Sequence, residues 1–238
     1  MIITVHYAKD IINTIDMVSS LTEDDLVLIS LDNVVIEPTQ MYGSPEHYVE
    51  LKRILAESDA SSIFRKAQES TNVRLPEDDI KDVISSLTQR GIMVMGITSR
   101  RHYALKDITT KQLQKLDVNF HHTNLHVSDG EVHLENNILY SNGTSRKAQC
   151  AELLSKKTEF IPSRIIFIAA SQTAIEEFGS SIDNSKVEYL GINYDHLNWK
   201  IKNFDLSVAD LQREHHEERD VILSDRDAMR LLNQRFSL

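Results

Sequence analysis

Four places in the chain carry residues whose types and spacing suit the handling of an anion. In LVLISLDNVVIEP (26–38) an apolar run closes on Ser30 and then Asp32, followed by the turn-former Asn33. GIMVMGIT (91–98) ends on Thr98 with Ser99 next, and RIIFIAA ends on Ala169 and Ala170 ahead of Ser171. Lys147 falls in the first turn of a helix expected after Asn142-Gly143. Open α/β sheets bind ligands beyond the carboxyl ends of their strands, so these places converge on one rim. Helix N-termini and a lysine at such a rim suit a phosphate or sulfate, with Thr98, Ser99 and Lys147 as the anion-binding set.

The elements that must position them follow from pattern. Short β-rich runs alternate with helical stretches, the signature of a parallel sheet with crossover helices. The clearest strands are 26–31, 91–98, 164–169 and 187–192, each too apolar for an exposed edge. Helical patterns lie near 10–20, 45–70, 77–90, 107–116, 145–157, 171–179 and 207–235. Ser207-x-x-Asp210 and Ser224-x-x-Asp227 both fit N-terminal capping pairs. LHVSDGEVHL (125–134) alternates about Asp129-Gly130, a favoured hairpin turn. The expectation is one α/β domain over residues 1–238, a Rossmann-like parallel sheet flanked by helices. It includes a small helical cap inserted at about 37–80, a β-hairpin insert and C-terminal helices at about 207–236.

Composition narrows the class. The chain has 238 residues, 41% hydrophobic, with a formal charge of −10. Its mean hydropathy is −0.31, and no run reaches the roughly 18 apolar residues of a membrane span. The acidic balance argues against nucleic acid as a partner, and Lys52-Arg53 or Arg100-Arg101 are too short to reverse that. MIITVHYAKDIINTIDMVSSL lacks the basic start of a secretory signal. One cysteine, Cys150, excludes an internal disulfide and points to a reducing compartment. The expected location is cytoplasmic, or a host cell reached without a cleavable signal. The latter rests only on the acidic stretch Glu214, Glu217, Glu218, Asp220 ahead of apolar Phe236 and Leu238.

The order of these motifs resembles the haloacid dehalogenase-like superfamily of phosphohydrolases, and within it a bacterial branch of unassigned function. The resemblance runs from about residue 24 to the end. The first motif, Asp-x-Asp, reads Ser30-Leu31-Asp32; the second, a strand ending in Thr or Ser, is matched by Thr98. The third is a lysine opening a helix, matched by Lys147, and the fourth, strand plus Asp-Asp, reads Ala169-Ala170. GSPEHY (43–48), YLGINY (189–194) and LSDRDAMRLL (223–232) are also similar to the branch. The resemblance implies a nucleophilic first aspartate, an acid-base second aspartate and a Mg²⁺ ion held by motif carboxylates. Here acids are missing at 30, 169 and 170. Mg²⁺ wants hard oxygen ligands, usually one or two carboxylates, so its binding is expected to be lost. A serine without an adjacent base is a poor nucleophile.

The resulting expectation is a catalytically degenerate homologue that binds a protein or an anionic ligand. Its alternative is a residual, Mg²⁺-independent phosphohydrolase using Ser30 or Asp32. His121, His122, His126 and His133 cluster around the hairpin, but without the acid and cysteine partners of a compact zinc site. His215-His216 belongs to a polar helix, and Cys150 fits a buried structural thiol.

Overall fold

The run Leu26–Ile29 has no polar face to offer water, which places its strand in the middle of the sheet. In the computed structural model β2 (Asp25–Ser30) is buried along its whole length. It pairs in parallel with β9 (Arg164–Ala169) on one side and β5 (Met93–Thr98) on the other. The structure describes residues 1–18, 20–120, 132–142, 160–183 and 185–235, and the backbone of 127–128. The remaining strands of this sheet are β1 (Ile2–Val5), β6 (Val127–Ser128), β7 (His133–Glu135), β8 (Ile138–Tyr140) and β10 (Glu188–Tyr194). The order across its eight strands is β1-β10-β9-β2-β5-β8-β7-β6. All pairs are parallel except β8 with β7 and β7 with β6. The fold is thus α/β and Rossmann-like, with the three strand ends at Ser30, Thr98 and Ala169 side by side.

The chain divides into two compact units, Met1–Ile36 with Leu75–Leu197, and Glu37–Arg74 with Asn198–Leu238. The insert ends at Arg74 and shares its unit with the C-terminal helices. In the first unit, α1 (Lys9–Val18), α4 (Asp79–Gln89), α5 (His102–Leu116) and α6 (Gln172–Ser180) accompany the sheet. The core gathers Leu26, Leu28, Met95, Ile97, Phe167 and Phe178. Glu77 ties two loops here: its carboxylate accepts from Ala8 N at 2.8 Å and from the Tyr194 hydroxyl at 2.6 Å.

Several expectations change in detail. The helix expected over 45–70 is two, α2 (Pro45–Ile54) and α3 (Glu57–Ser70), and Leu55 between them is extended. Charge marks the break: Lys52 and Arg53 close α2 while Glu57 and Asp59 open α3, each complementing its own helix dipole. The pattern over 207–235 likewise becomes α8 (Leu206–Arg219) and α9 (Asp225–Arg235), preceded by the short α7 (Asn198–Lys202). Ser207 is not the cap of α8; Asp205 is, accepting from Ser207 N at 2.8 Å. Ser224 does cap α9, accepting from Asp227 N at 3.1 Å. α5 starts at His102, a turn earlier than expected, and β1 was not anticipated. Val127 pairs with Leu134 in the hairpin, but its Asp129-Gly130 turn lies outside the described residues, as does the helix expected over 145–157.

The second unit is built around buried polar groups. Glu37 is 1% exposed and receives Arg74 at 2.8 and 2.9 Å and Lys200 at 2.8 Å. Burial works to raise its carboxyl, but the hydrogen bonds and charges of Arg74 and Lys200 outweigh that and hold it low. The Met41–Ser44 loop is fixed by Gln212, which accepts from Tyr42 N at 2.9 Å, and by Gln68, which donates to the Gly43 carbonyl. Gly43 has φ +83°, and a Cβ there would lie 2.8 Å from Thr71 Oγ1.

Beneath this loop sits His47, fully buried, accepting from Gly43 N at 3.4 Å through Nδ1. Its Nε2 meets no partner among the described residues. Burial, helped by the Arg213 charge, pushes it from 6.5 down to about 4. The folded state therefore keeps His47 neutral over a range in which the unfolded chain takes up a proton. This contribution to stability is complete above about pH 6.5 and is lost progressively as pH falls towards 4. The shift corresponds to about 3 kcal/mol at most. Denaturant titrations from pH 7.5 to 4.5 should show a steeper acid loss in the unmodified protein than in His47→Asn. Asparagine keeps an acceptor for Gly43 N but has no proton to gain, so parallel curves would refute the linkage.

Candidate functional site

The turn after β2 decides where the acid points. The Leu31 carbonyl accepts from Val35 N at 2.9 Å and Ile36 N at 2.8 Å, folding the chain back over three buried apolar residues, Val34, Val35 and Ile36. Asn33 takes φ +64°, a left-handed conformation that asparagine tolerates better than most residues. Asp32 is thereby held at the carboxyl end of β2, next to the end of β5.

There its carboxylate is fully engaged. Thr98 Oγ1 donates to Oδ2 at 3.0 Å. Arg100 donates to Oδ1 twice, from Nε at 3.0 Å and from Nη2 at 2.8 Å. The other terminal nitrogen of Arg100 donates to Thr109 Oγ1 at 3.1 Å and to Gln112 Oε1 at 2.7 Å, both on α5. The arginine side chain is 1% exposed and that of Asp32 18%, so the pair is largely out of water. Thr98 closes the arrangement by accepting from Arg100 N at 3.1 Å. Its one hydroxyl proton is committed to Asp32.

The other expected positions fall around this pair. Ser30 is 5% exposed and pairs across the sheet with Ile97, one residue short of Thr98. Ala169 is buried and Ala170 half-buried at the end of β9. Ser99 is half-buried, and exposed Ser171 caps α6 by accepting from Ala174 N at 3.3 Å. Ser141 N donates to the Thr98 carbonyl at 2.9 Å, and Asn142 Oδ1 accepts from His102 N at 2.8 Å, capping α5. Asp32 and Thr98 are thus in contact, while Ser30 ends β2 opposite Ile97 and Ala169 ends the neighbouring strand. Lys147 and Cys150 lie outside the described residues.

Arg100 is the residue that the sequence reading misses, having grouped it with Arg101 as a short basic pair. The available signal lay on α5. Thr109 and Gln112 share a face with Leu105, Leu113 and Leu116, and all five are buried. Two polar residues on an apolar helical face call for a buried polar partner.

The remaining clusters resolve into structure. His102 donates from Nε2 to the Glu135 carboxylate at 2.7 Å and stacks on His133 at 4.3 Å between ring centroids. The His102 hydrogen bond, then that of Lys106, holds Glu135 below the usual carboxylate range against its partial burial. His121, His122 and His126 lie outside the described residues, and no group of three potential metal ligands occurs among those described. Lys52 lies over the Tyr48 ring at 4.8 Å, and Arg53 pairs with Glu50 at 2.6 Å.

Residues 4–229 match the family described as Protein of unknown function (DUF2608). The chain belongs to that family. No curated protein matches it. Among solved structures it is similar to a haloacid dehalogenase-like family hydrolase from Streptococcus pneumoniae. The two are 12% identical with a TM-score of 0.42, over 72% of this chain and 95% of that one. It is also similar to a phosphoserine phosphatase bearing a phospho-aspartyl intermediate analogue. There the identity is 15% and the TM-score 0.36, over 76% of this chain and 98% of that one. No helix described in this DUF2608 chain is long and apolar enough to cross a membrane.

Removing one member of a largely buried ion pair leaves the other charge uncompensated, at a cost of about 3 kcal/mol. Arg100→Met should lose about that much by denaturant unfolding, and Asp32→Asn with Arg100→Met should regain about 1 kcal/mol of it. A double variant as unstable as the sum of both single changes would show that the two groups are not coupled.

Proposed function

We propose that this protein is a catalytically degenerate, phosphatase-like member of its family that acts by binding and not by hydrolysis. The observation that carries the reading is the state of Asp32: both oxygens are occupied by groups of the protein itself. A carboxylate gripped twice by a buried guanidinium and once by a threonine is poorly placed to attack phosphorus or to accept a proton in a transition state. Ser30, two residues before it, is buried at 5% exposed, and a serine is a weak nucleophile at its ordinary pKa.

The residues present do not fit Mg²⁺. Ser30 offers a neutral hydroxyl, Ala169 and Ala170 offer no side-chain oxygen, and Asp32 already has a cation in Arg100. The guanidinium thus neutralises the acid that a divalent ion would otherwise need. The same accounting favours a protein ligand over a free phosphate or sulfate. Thr98 has no proton left to donate, and four of the five Arg100 donors are spent within the protein. An effector role in a host cell would be one setting for such a binding protein.

The test uses p-nitrophenyl phosphate with and without 5 mM Mg²⁺, beside Mg²⁺ calorimetry. Loss of the nucleophile in other hydrolases costs on the order of 10⁶ in turnover. The expected result is hydrolysis at the buffer rate and no saturable Mg²⁺ heat. Turnover that persists after purification and disappears in Ser30→Ala or Asp32→Asn would instead establish the residual phosphohydrolase.

A further inference from the structure

Where α5 finishes and β8 begins, the first unit carries a pocket of about 390 Å³ that is open to solvent. That size is within the range of small-molecule sites, roughly 300 to 1,000 Å³. Its floor is apolar: Leu113, Phe120 and Ile138 are all 5% exposed or less. The floor is also fixed. Gly96 on β5 leaves room for the Phe120 ring, since a Cβ there would lie 3.0 Å from the ring edge, and the Asn137 side chain donates to the Phe120 carbonyl.

The rim is polar, with Gln114 and Asn136 beside Asp117, the one charged residue among the described residues that line the pocket. Asp117 ends α5 in a left-handed conformation, φ +55°, where the terminal carbonyls and the helix dipole add partial negative charge. The site already attracts an ammonium group. Lys81 Nζ lies 3.5 Å from Asp117 Oδ2, on a carboxylate 92% exposed.

We propose that this pocket is a binding site for a small organic cation, with a ring-sized apolar body on the Leu113–Phe120–Ile138 floor and a primary ammonium at Asp117. Binding exchanges the Lys81 ammonium for that of the ligand. The site is separate from the Asp32 pair, so it stands whether or not that pair is catalytically silent.

The experiment is a ¹⁵N NMR titration of the full chain with phenethylamine, and in parallel with 2-phenylethanol, which has the same ring and chain length but no charge. Phenethylamine should shift the amides of residues 113–120 and 136–138 saturably, more strongly than the alcohol, and less in high salt. Asp117→Asn should weaken it about threefold, the scale of one exposed ion pair. Asparagine tolerates the left-handed backbone, so the fold is preserved. Lys81→Met removes the internal competitor and should tighten binding about twofold. Absence of shifts at these residues, equal binding of amine and alcohol, or an Asp117→Asn protein that binds as before would each overturn the proposal.

Discussion

The ion pair between Asp32 and Arg100 sets the geometry of everything around the carboxyl edge of the sheet. Taking either charge from water alone would cost several kcal/mol, so each has to be delivered to the other with its remaining lone pairs and protons satisfied. That requirement fixes three pieces of chain at once. The turn after β2 must present Asp32, the residues after β5 must bring Thr98 and Arg100, and α5 must offer Thr109 and Gln112 at matching height. Tyr140 joins the same network through Thr109, and burial pushes its hydroxyl well above the usual tyrosine range. Within this rim the charge of Asp32 is met by that of Arg100.

The second unit solves a similar problem with the same kind of parts. Glu37 is buried more deeply than Asp32 and is likewise gripped by an arginine, with a lysine completing the charge balance. The consequences differ because of location. Glu37 closes a packing arrangement between the two chain segments of its unit, whereas Asp32 occupies the position from which the resemblance would have expected chemistry. The chemistry of a fold resides in its sites, so a similar local interaction has different consequences in the two places.

Much of the framework is legible in the sequence because burial on both faces leaves an unmistakable apolar run. LVLIS, MVMGIT and RIIFIA could only be central strands, and the adjacency of their ends follows. β1 was missed because IITV is short and half-exposed on an edge, with no run to announce it. Helix ends misread at 55 and 205 turned on capping and dipole choices within a few residues, where Asp205, accepting from Ser207 N, takes the capping place expected of Ser207. The site was only half legible. The absent acids at 30, 169 and 170 can be counted directly, but the partner of Asp32 cannot. Arg100 lies 68 residues away, and its role depends on a helical face formed by residues further on still.

The chain closes late upon itself. β1 finds its strand neighbour in β10, and Glu37 waits for a lysine 163 residues further along. At typical elongation rates of roughly 5 to 20 residues per second, that interval is on the order of ten to thirty seconds. Throughout it, an emerging nascent chain holds α2 and α3 without the C-terminal helices that complete their core, and an N-terminal strand without its mate. Neither unit can finish folding on the ribosome until almost the whole sequence has left the exit tunnel. In that interval the unfinished polypeptide exposes an unpaired strand edge and an uncovered apolar helix face, the features that make partly folded chains prone to aggregate.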